Sequence, residues 1–187
     1  LKCDVKNMEQ NTSESFKLDL NGLYQTKNIR TVLCAERILM QLGFNIKNKA
    51  EKKALTKVKK LTGLYGRWDV INDKPAIILE VAHNEDGIRQ MLQQLSLVKS
   101  APAAVHIVMG MVKDKNTEKI LSFLPKDARY YFSNAHITRA LPHRELLEKS
   151  KAFGLNAESF DDVNDAVTAA KKHAAESDII IVCGSIF

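Results

Sequence analysis

The segment Gly66–Leu92, GRWDVINDKPAIILEVAHNEDGIRQML, decides the fold of this chain. It joins a Gly-Arg corner to an apolar strand that ends in an acid, then to an Ala-His-Asn turn and an amphipathic helix. Proteins of the α/β class build polar sites at such points, because ligands bind in the crevice outside the carboxyl ends of the strands. The helix that follows also offers free N–H groups to an anion. The segment therefore predicts a ligand site on an α/β sheet.

After this segment, apolar strands alternate with amphipathic helices. The pattern predicts strands at 76–81, 103–109, 129–132 and 178–183, and helices at 86–98, 117–124, 142–153 and 161–175. Apolar strands that alternate with helices are typical of a mostly parallel sheet covered on both faces. Residues 68–71 could add an antiparallel edge strand. We therefore expect an α/β, Rossmann-like domain over residues 66–187.

Before this segment, the pattern is different. Residues 15–20, SFKLDL, are strand-like, and two helices are predicted at 28–43 and 49–61. Gly63 and Gly66 then interrupt the helical pattern. We place a domain boundary there, so that residues 1–62 belong to a different domain from residues 66–187.

The composition is that of an ordinary globular protein, with 187 residues, 45% hydrophobic and 27% charged. No apolar run reaches the length of a membrane span, and the N-terminus has no signal-peptide pattern. Cys3, Cys34 and Cys183 have neither metal-ligand nor CxxC spacing, which suits a reducing compartment. We expect a cytoplasmic protein without a membrane partner.

The net charge of +6 comes largely from residues 45–60, NIKNKAEKKALTKVKK. Such a run can bind nucleic acid, but Ala50, Ala54, Val58 and Leu61 give it an apolar stripe at helical spacing. No aromatic residue interleaves with the lysines. The pattern favours the solvated face of a helix, and we expect no nucleic-acid partner.

Several motifs in order resemble one known family. GRWDV followed by IILEVAHNEDGIRQML is similar to the start of the C-terminal domain of folylpolyglutamate synthases and bifunctional dihydrofolate synthases, which read GR-(F/W/M)-(E/D) and D-x-A-H-N-P. VMGMVKDKN, RALPHRELLEKSKAFG and VCGSIF resemble later motifs of that family, and GLYQTKNIRTVLCAERIL resembles the helix that closes its central ATPase domain. The resemblance implies that residues 1–62 are the C-terminal end of a Mur-ligase-type ATPase domain. Residues 66–187 would form the C-terminal domain.

The sequence departs from the family pattern at two positions and lacks one expected motif. Glu80 stands where the family usually has Asp, and Glu85 stands where it usually has Pro. No G-x-x-x-x-G-K-[ST] phosphate loop occurs in the sequence. We therefore expect the phosphate loop and the magnesium ligands to precede Leu1, and expect this portion alone to be inactive.

The resemblance implies that Asn28, Arg67, Glu80 and His83 bind ATP. A guanidinium fork suits phosphate, an acid suits a ribose hydroxyl, and an amide can pair with the adenine edge. Each residue also has a structural alternative. Asn28 could cap its helix, Arg67 could be a solvated loop arginine, Glu80 could turn to water at a strand end, and His83 could bond to backbone.

Three further residues follow strands on the expected ligand side. Asn84 could line the site or cap helix 86–98, and the two roles are compatible. Asp114 and Lys115 could line the site or belong to a surface turn.

His83 is the one possible catalytic residue, and no metal site is expected. His106 lies inside an apolar strand and is predicted to be a core histidine.

The implied function is that of an ATP-dependent amide ligase that joins L-glutamate to a folate or dihydropteroate through an acyl phosphate. ATP and Mg²⁺ would be its cofactors, and we expect a monomer. One alternative is a cell-wall Mur ligase, although the stretch SNAHITRALP lacks the D-N-P-R segment of the muramyl-tripeptide type. The other is a non-catalytic nucleotide-binding module, although no G-x-G-x-x-G follows any predicted strand.

Overall fold

The computed structural model describes residues 1–8, 11–99, 103–114, 116–134 and 136–184. The chain divides into two compact units, an N-terminal unit of Leu1–Arg67 and a C-terminal unit that begins at Trp68. Each unit has a hydrophobic core of its own. Among the described residues, no helix combines the length and the apolar composition needed to cross a membrane.

The N-terminal unit combines an antiparallel hairpin with three helices. Its elements are β1 Lys2–Asn7, β2 Thr12–Lys17, α1 Gln25–Gln41, α2 Asn48–Leu55 and α3 Val58–Thr62. Phe16 pairs with Cys3 across the hairpin and packs with Leu18 and Ile29 in a small core. The strand predicted at 15–20 is displaced, and β1 was not predicted. The reason is that β2, TSESFK, buries only Phe16 and so carries almost no apolar signal.

The predicted helices of this unit differ from the observed ones at their boundaries. α1 begins three residues before Asn28, because the N–H of Gln25 already bonds to the carbonyl of the preceding turn. Gly43 follows α1 with a φ of 95°, in agreement with its predicted role as a stop. The predicted helix 49–61 is two helices, because Lys57 leaves the helical region with φ −141° and ψ 24°.

The C-terminal unit is built on a six-stranded sheet. Its strands are β3 Arg67–Asp73, β4 Ala76–Glu80, β5 Val105–Gly110, β6 Arg129–Phe132, β7 Asn156–Ser159 and β8 Ile179–Gly184, and the first residue of β3 is the last residue of the N-terminal unit. They lie in the order β3-β4-β8-β5-β6-β7, and all neighbouring pairs from β4 to β7 are parallel. β3 returns into β4 through a two-residue turn, which joins antiparallel neighbours. The predicted α/β class with a mostly parallel sheet is confirmed.

Helices cover both faces of this sheet. They are α4 Glu85–Val98, α5 Thr117–Ser122, α6 His143–Lys151 and α7 Val163–His173. In β5, Ile107 and the residues two positions before and after it face the larger core with α4, α5 and α6. Val108, Tyr131 and Ile180 face a smaller core with α7. Successive residues of a strand point to opposite faces, so the apolar runs of β5 and β8 serve both cores.

Two details of this unit were not predicted from the sequence. β7, NAES, was missed because it is an edge strand that buries none of its four residues completely. Pro142 precedes α6 as its N-cap residue instead of lying in its first turn. α7 is capped by an acid as expected, since the Asp162 carboxylate accepts the N–H of Asn164 at 2.7 Å.

A buried polar network lies at the amino ends of β5 and β8. His106 is 4% exposed, and its Nδ1 lies 2.9 Å from the hydroxyl of Tyr131. Asp178 accepts the N–H groups of Ala104 and Ala175 at 2.9 and 2.8 Å, and its Oδ2 lies 3.5 Å from His106 Nε2. The prediction of a core histidine at this position is confirmed.

The surroundings of His106 hold its pKa below the ordinary value of 6.5, chiefly because burial disfavours the charged ring. Asp178 opposes this shift, whereas Arg129 and the exposed His173, which lies 3.2 Å from the hydroxyl of Tyr131, add to it. As the pH falls, His106 therefore binds a proton near pH 6.5 in the unfolded chain, but only at a lower pH in the folded chain. Stability supplied by neutral His106 is present above pH 6.5 and is lost as the pH falls through the folded pKa.

We predict that His106→Gln flattens the pH dependence of stability below pH 6.5. Trp68, the one tryptophan, is 4% exposed and reports unfolding of the C-terminal unit by fluorescence. The free energy of unfolding in urea should fall more steeply between pH 7.5 and 5.5 in the parent chain than in the variant. Parallel curves for the two proteins would show that His106 does not carry this dependence.

Candidate functional site

The carboxyl ends of β4, β8, β5 and β6 meet at one edge of the sheet, because these strands are parallel. β4 ends at Glu80 and passes through the turn 81–84 into α4. β8 and β5 end at Gly184 and Gly110, which are paired in register. Ligands of open α/β sheets bind at this edge, so the residues that follow these strands form the candidate site.

The centre of this edge is bare backbone. Gly184 has a φ of 103°, and a Cβ there would overlap the carbonyl oxygen of Gly110. A Cβ on Gly110 would in turn lie 2.9 Å from the carbonyl oxygen of Ser133. Three neighbouring strand ends therefore approach each other more closely than side chains would allow. The sequence signal was the glycine that ends each of the runs VMG and VCG.

Glu80 is buried, with 3% of its surface exposed. Its Oε2 accepts the backbone N–H of Trp68 at 2.9 Å. The alternative of a strand-end carboxylate turned to water is therefore wrong. The extra methylene of Glu relative to the Asp usual in the family extends the reach of the carboxylate toward β3.

Trp68, the donor of this bond, has an unusual backbone. Its φ is 55°, and Gly66 two residues earlier has a φ of 72°. A left-handed conformation costs a residue with a bulky side chain about 1–2 kcal/mol. The indole lies in the larger core, which together with the Glu80 bond holds this conformation in place. Arg67, half-buried, lies between these two residues at the start of β3.

His83 and Asn84 occupy the turn between β4 and α4. His83 is half-buried, and its Nδ1 lies 2.8 Å from the carbonyl oxygen of Val81. Because that carbonyl can only accept, Nδ1 carries a proton, and Nε2 of the neutral ring keeps a lone pair for a ligand. Asn84 caps α4, since its Oδ1 accepts the N–H of Gly87 at 2.8 Å. Both structural alternatives for these two residues are confirmed, and both leave room for ligand contact.

Glu85 begins α4 in the position where the family usually has Pro. Its carboxylate pairs with Lys119 at 2.7 Å and with Arg89 at 3.2 Å. The hydrogen bond from Lys119, with a smaller one from Arg89, lowers the pKa of Glu85. An ionised acid in the first turn interacts favourably with the helix dipole. The departure from the family pattern therefore leaves a well-formed helix start.

The remaining predicted residues are Asn28, Asp114 and Lys115. Asn28 belongs to the N-terminal unit, where it is exposed inside α1 and donates from Nδ2 to Gln25 Oε1 at 3.0 Å. Its capping alternative is wrong, because α1 begins before it. Asp114 is exposed in the turn after β5, and Lys115 lies outside the described residues. Within the described ranges, no group of three or more His, Cys, Asp or Glu side chains is arranged to hold a metal ion.

Sequence reasoning missed a second polar group, which follows β6. His143 Nε2 lies 2.7 Å from Asp161 Oδ1, and the His143 N–H donates to Asn134 Oδ1 at 3.3 Å. Ser133 Oγ and His143 Nδ1 are both buried without a hydrogen-bond partner among the described residues. The available signal was a run of polar residues directly after an apolar strand. Their chemistry suits a further polar contact at the same edge of the sheet.

The candidate site lies in a segment with known relatives. Residues 66–186 match the family described as Mur ligase, glutamate ligase domain. The chain belongs to this family. The match begins at the Gly-Arg corner and includes the turn 81–84 and the glycine strand ends, so the resemblance stated from these motifs is confirmed.

Individual relatives agree with this assignment. The dihydrofolate synthase/folylpolyglutamate synthase of Buchnera aphidicola subsp. Schizaphis graminum is 28% identical over 149 residues, covering 80% of this chain and 34% of the relative. The chain thus spans about a third of the length of that curated relative. Escherichia coli FolC in complex with DHPP and ADP is 26% identical, with a TM-score of 0.65 over 79% of this chain and 34% of that one.

A second solved structure is similar at the same level. It is a bifunctional folylpolyglutamate synthase/dihydrofolate synthase with Mn, AMPPNP and L-glutamate bound. It is 28% identical, with a TM-score of 0.67 over 81% of this chain and 35% of that chain. These ligands were observed in that protein.

We predict that Gly184→Ala destabilises the C-terminal unit by roughly 3 kcal/mol or more, because it adds both left-handed strain and overlap with Gly110. Gly154→Ala is the matched control. It has a φ of 68° but no atom within 4 Å of a Cβ, so it should cost only the left-handed strain of about 1–2 kcal/mol. Urea unfolding followed by Trp68 fluorescence measures both. Equal losses would mean that the strand ends do not need their close approach.

Proposed function

We propose that this chain is the C-terminal part of an ATP-dependent ligase that joins L-glutamate to a folate or dihydropteroate. The observation that carries the proposal is the match of residues 66–186 to the glutamate ligase domain, because it includes the Gly-Arg corner and the strand end at Glu80 that form the candidate site. The relatives named for dihydrofolate and folylpolyglutamate synthesis support the substrate class.

The reaction requires an activated carboxylate. ATP phosphorylates the acceptor carboxylate, and the amine of glutamate then displaces phosphate as the amide forms. There is little covalent chemistry for protein groups in phosphoryl transfer, so positioning and charge stabilisation carry most of the catalysis. Side chains that hold the phosphates and orient the amine are therefore the ones to identify.

We assign roles in ATP binding to two residues of the candidate site. The Arg67 guanidinium donates to phosphate oxygens, a geometry that suits its fixed fork of N–H groups. His83 Nε2 accepts a hydrogen bond, since its Nδ1 is occupied by the Val81 carbonyl. The adenine-edge role of Asn28 stays a prediction from the sequence. The further polar group around His143 supplies contacts to a second polar substrate.

Magnesium is not assigned to the described residues, because they do not form a cluster that suits it. Its ligands and the phosphate loop belong, in this proposal, to the part of the ligase that this chain does not include. The relatives are about three times as long as the segment they match, which supports this division. A cytoplasmic location and a monomeric state stay predictions from the sequence.

We predict that the full-length ligase, given ATP, Mg²⁺, L-glutamate and dihydropteroate or tetrahydrofolate, releases one phosphate for each amide formed. The measurement is phosphate release alongside chromatography of the product. The 187-residue chain alone is the control and should release no phosphate above the blank.

Two outcomes would contradict this proposal. Turnover with a nucleotide-linked muramyl peptide, and none with a folate, would identify a cell-wall ligase of the same family. Binding of ATP without turnover of either acceptor would favour a non-catalytic nucleotide-binding protein.

A further inference from the structure

A row of lysines lies along α2 and α3 of the N-terminal unit. Residues 47–60 contain seven lysines and a single acid, Glu51. Five of these lysines are exposed, and none of the five has an ion pair among the described residues. We call these five residues the lysine surface: Lys47, Lys49, Lys53, Lys57 and Lys60.

The single acid of the run does not neutralise this surface. Glu51 is half-buried on the opposite side of α2. Burial, together with a hydrogen bond to Glu36 and the charges of Glu36 and Glu14, raises the pKa of Glu51 to about 7. Lys52 also turns inward, since its Nζ lies 3.4 Å from Glu14 and 5.3 Å from the centre of the Phe16 ring. The outer side of α2 therefore carries positive charge alone.

The apolar stripe predicted for this run does not bury the helix. Ala50, Ala54 and Leu61 of that stripe are exposed, so this part of the prediction is wrong. Leu55 packs against the small core of the unit instead. The two alanines thus lie on the outer side among the lysines, where their short side chains leave room for an extended chain along the surface.

The proposed reaction makes its acceptor more anionic in each cycle. Each new amide consumes one carboxylate of the acceptor and the amine of glutamate, while glutamate brings two carboxylates. The product therefore carries one more carboxylate than the acceptor did. Repeated addition builds a chain with a free carboxylate on every residue. A row of ammonium groups without an acid among them is complementary in charge to such a chain.

We propose that the lysine surface binds the glutamate chain of the acceptor and so favours acceptors that already carry several glutamates. This inference rests on the proposed function and names what sets its preference for chain length. Each exposed contact is weak and screened by salt, so the preference arises from several contacts made at once. Single-stranded nucleic acid suits this surface less well, because no aromatic residue within 45–60 offers a base a stacking partner.

The first test measures binding of a fluorescently labelled, γ-linked pentaglutamate to the 187-residue chain by anisotropy. A triple variant combines Lys49→Gln, Lys53→Gln and Lys57→Gln. It should bind about tenfold more weakly than the parent chain, because it loses three contacts of the modest strength usual for exposed charges. Added salt should weaken binding to the parent chain, and the same peptide with its carboxylates amidated should not bind.

The matched control removes the same charge from the C-terminal unit. It combines Lys126→Gln, Lys171→Gln and Lys172→Gln, three exposed lysines that also have no ion pair among the described residues. This control should bind the pentaglutamate as tightly as the parent chain does. Thermal melts followed by circular dichroism confirm that both triple variants are folded.

The second test uses the full-length ligase and two acceptors, tetrahydrofolate with one glutamate and with five. The measured quantity is kcat/KM for the longer acceptor divided by kcat/KM for the shorter one. This ratio should fall about tenfold in the lysine-surface variant and should keep the value of the parent enzyme in the control.

The outcomes separate this inference from the proposed function. Equal weakening in both triple variants, or an unchanged ratio in the lysine-surface variant, would overturn the role of this surface. Tighter binding of a single-stranded oligonucleotide of the same charge would identify a nucleic-acid surface instead. A full-length protein that turns over no folate would overturn the proposed function, while the binding test would still decide whether these lysines hold a glutamate chain.

Discussion

The hydrogen bond from the Trp68 amide to the Glu80 carboxylate is the constraint on which the candidate site depends. It ties β3 to the end of β4 at the point where β3 begins, and it supports a tryptophan in a left-handed conformation. The indole of Trp68 anchors the same residue in the larger core. A polar contact and an apolar contact thus fix one residue from two directions, and the conformation of the Gly-Arg corner follows from both.

The rest of the sheet edge is arranged around close backbone contacts. Gly110 and Gly184 let the ends of β5 and β8 approach without side chains, and Ser133 lies against Gly110. Polar side chains are therefore concentrated to either side, in the turn after β4 and in the segment after β6. The core beneath is apolar on both faces, which gives these short turns a rigid base. Binding residues on turns that a rigid sheet positions are common in α/β proteins.

The sequence predicted most of the C-terminal unit because its buried strands and amphipathic helices carry strong patterns. It failed at β1, β2 and β7, whose polar residues are exposed and give no such pattern. At the site, the cap formed by Asn84 could be predicted from its residue type and its position before a helix. The burial of Glu80 could not be predicted, because it depends on a hydrogen bond to a residue twelve positions away. The dyad of His143 and Asp161 was missed for the same reason, since its members come together only in the folded chain.

Amide hydrogen exchange of the 187-residue chain, followed by NMR, tests the central contact most directly. The Trp68 N–H should be as protected as the N–H of Ile107 in the core, although it lies near the start of an edge strand. That protection should persist in Glu80→Gln and fall at least about tenfold in Glu80→Asp, because only the shorter side chain loses the amide. Rapid exchange of Trp68 in the parent chain, or equal protection in Glu80→Asp, would contradict the role given to this bond.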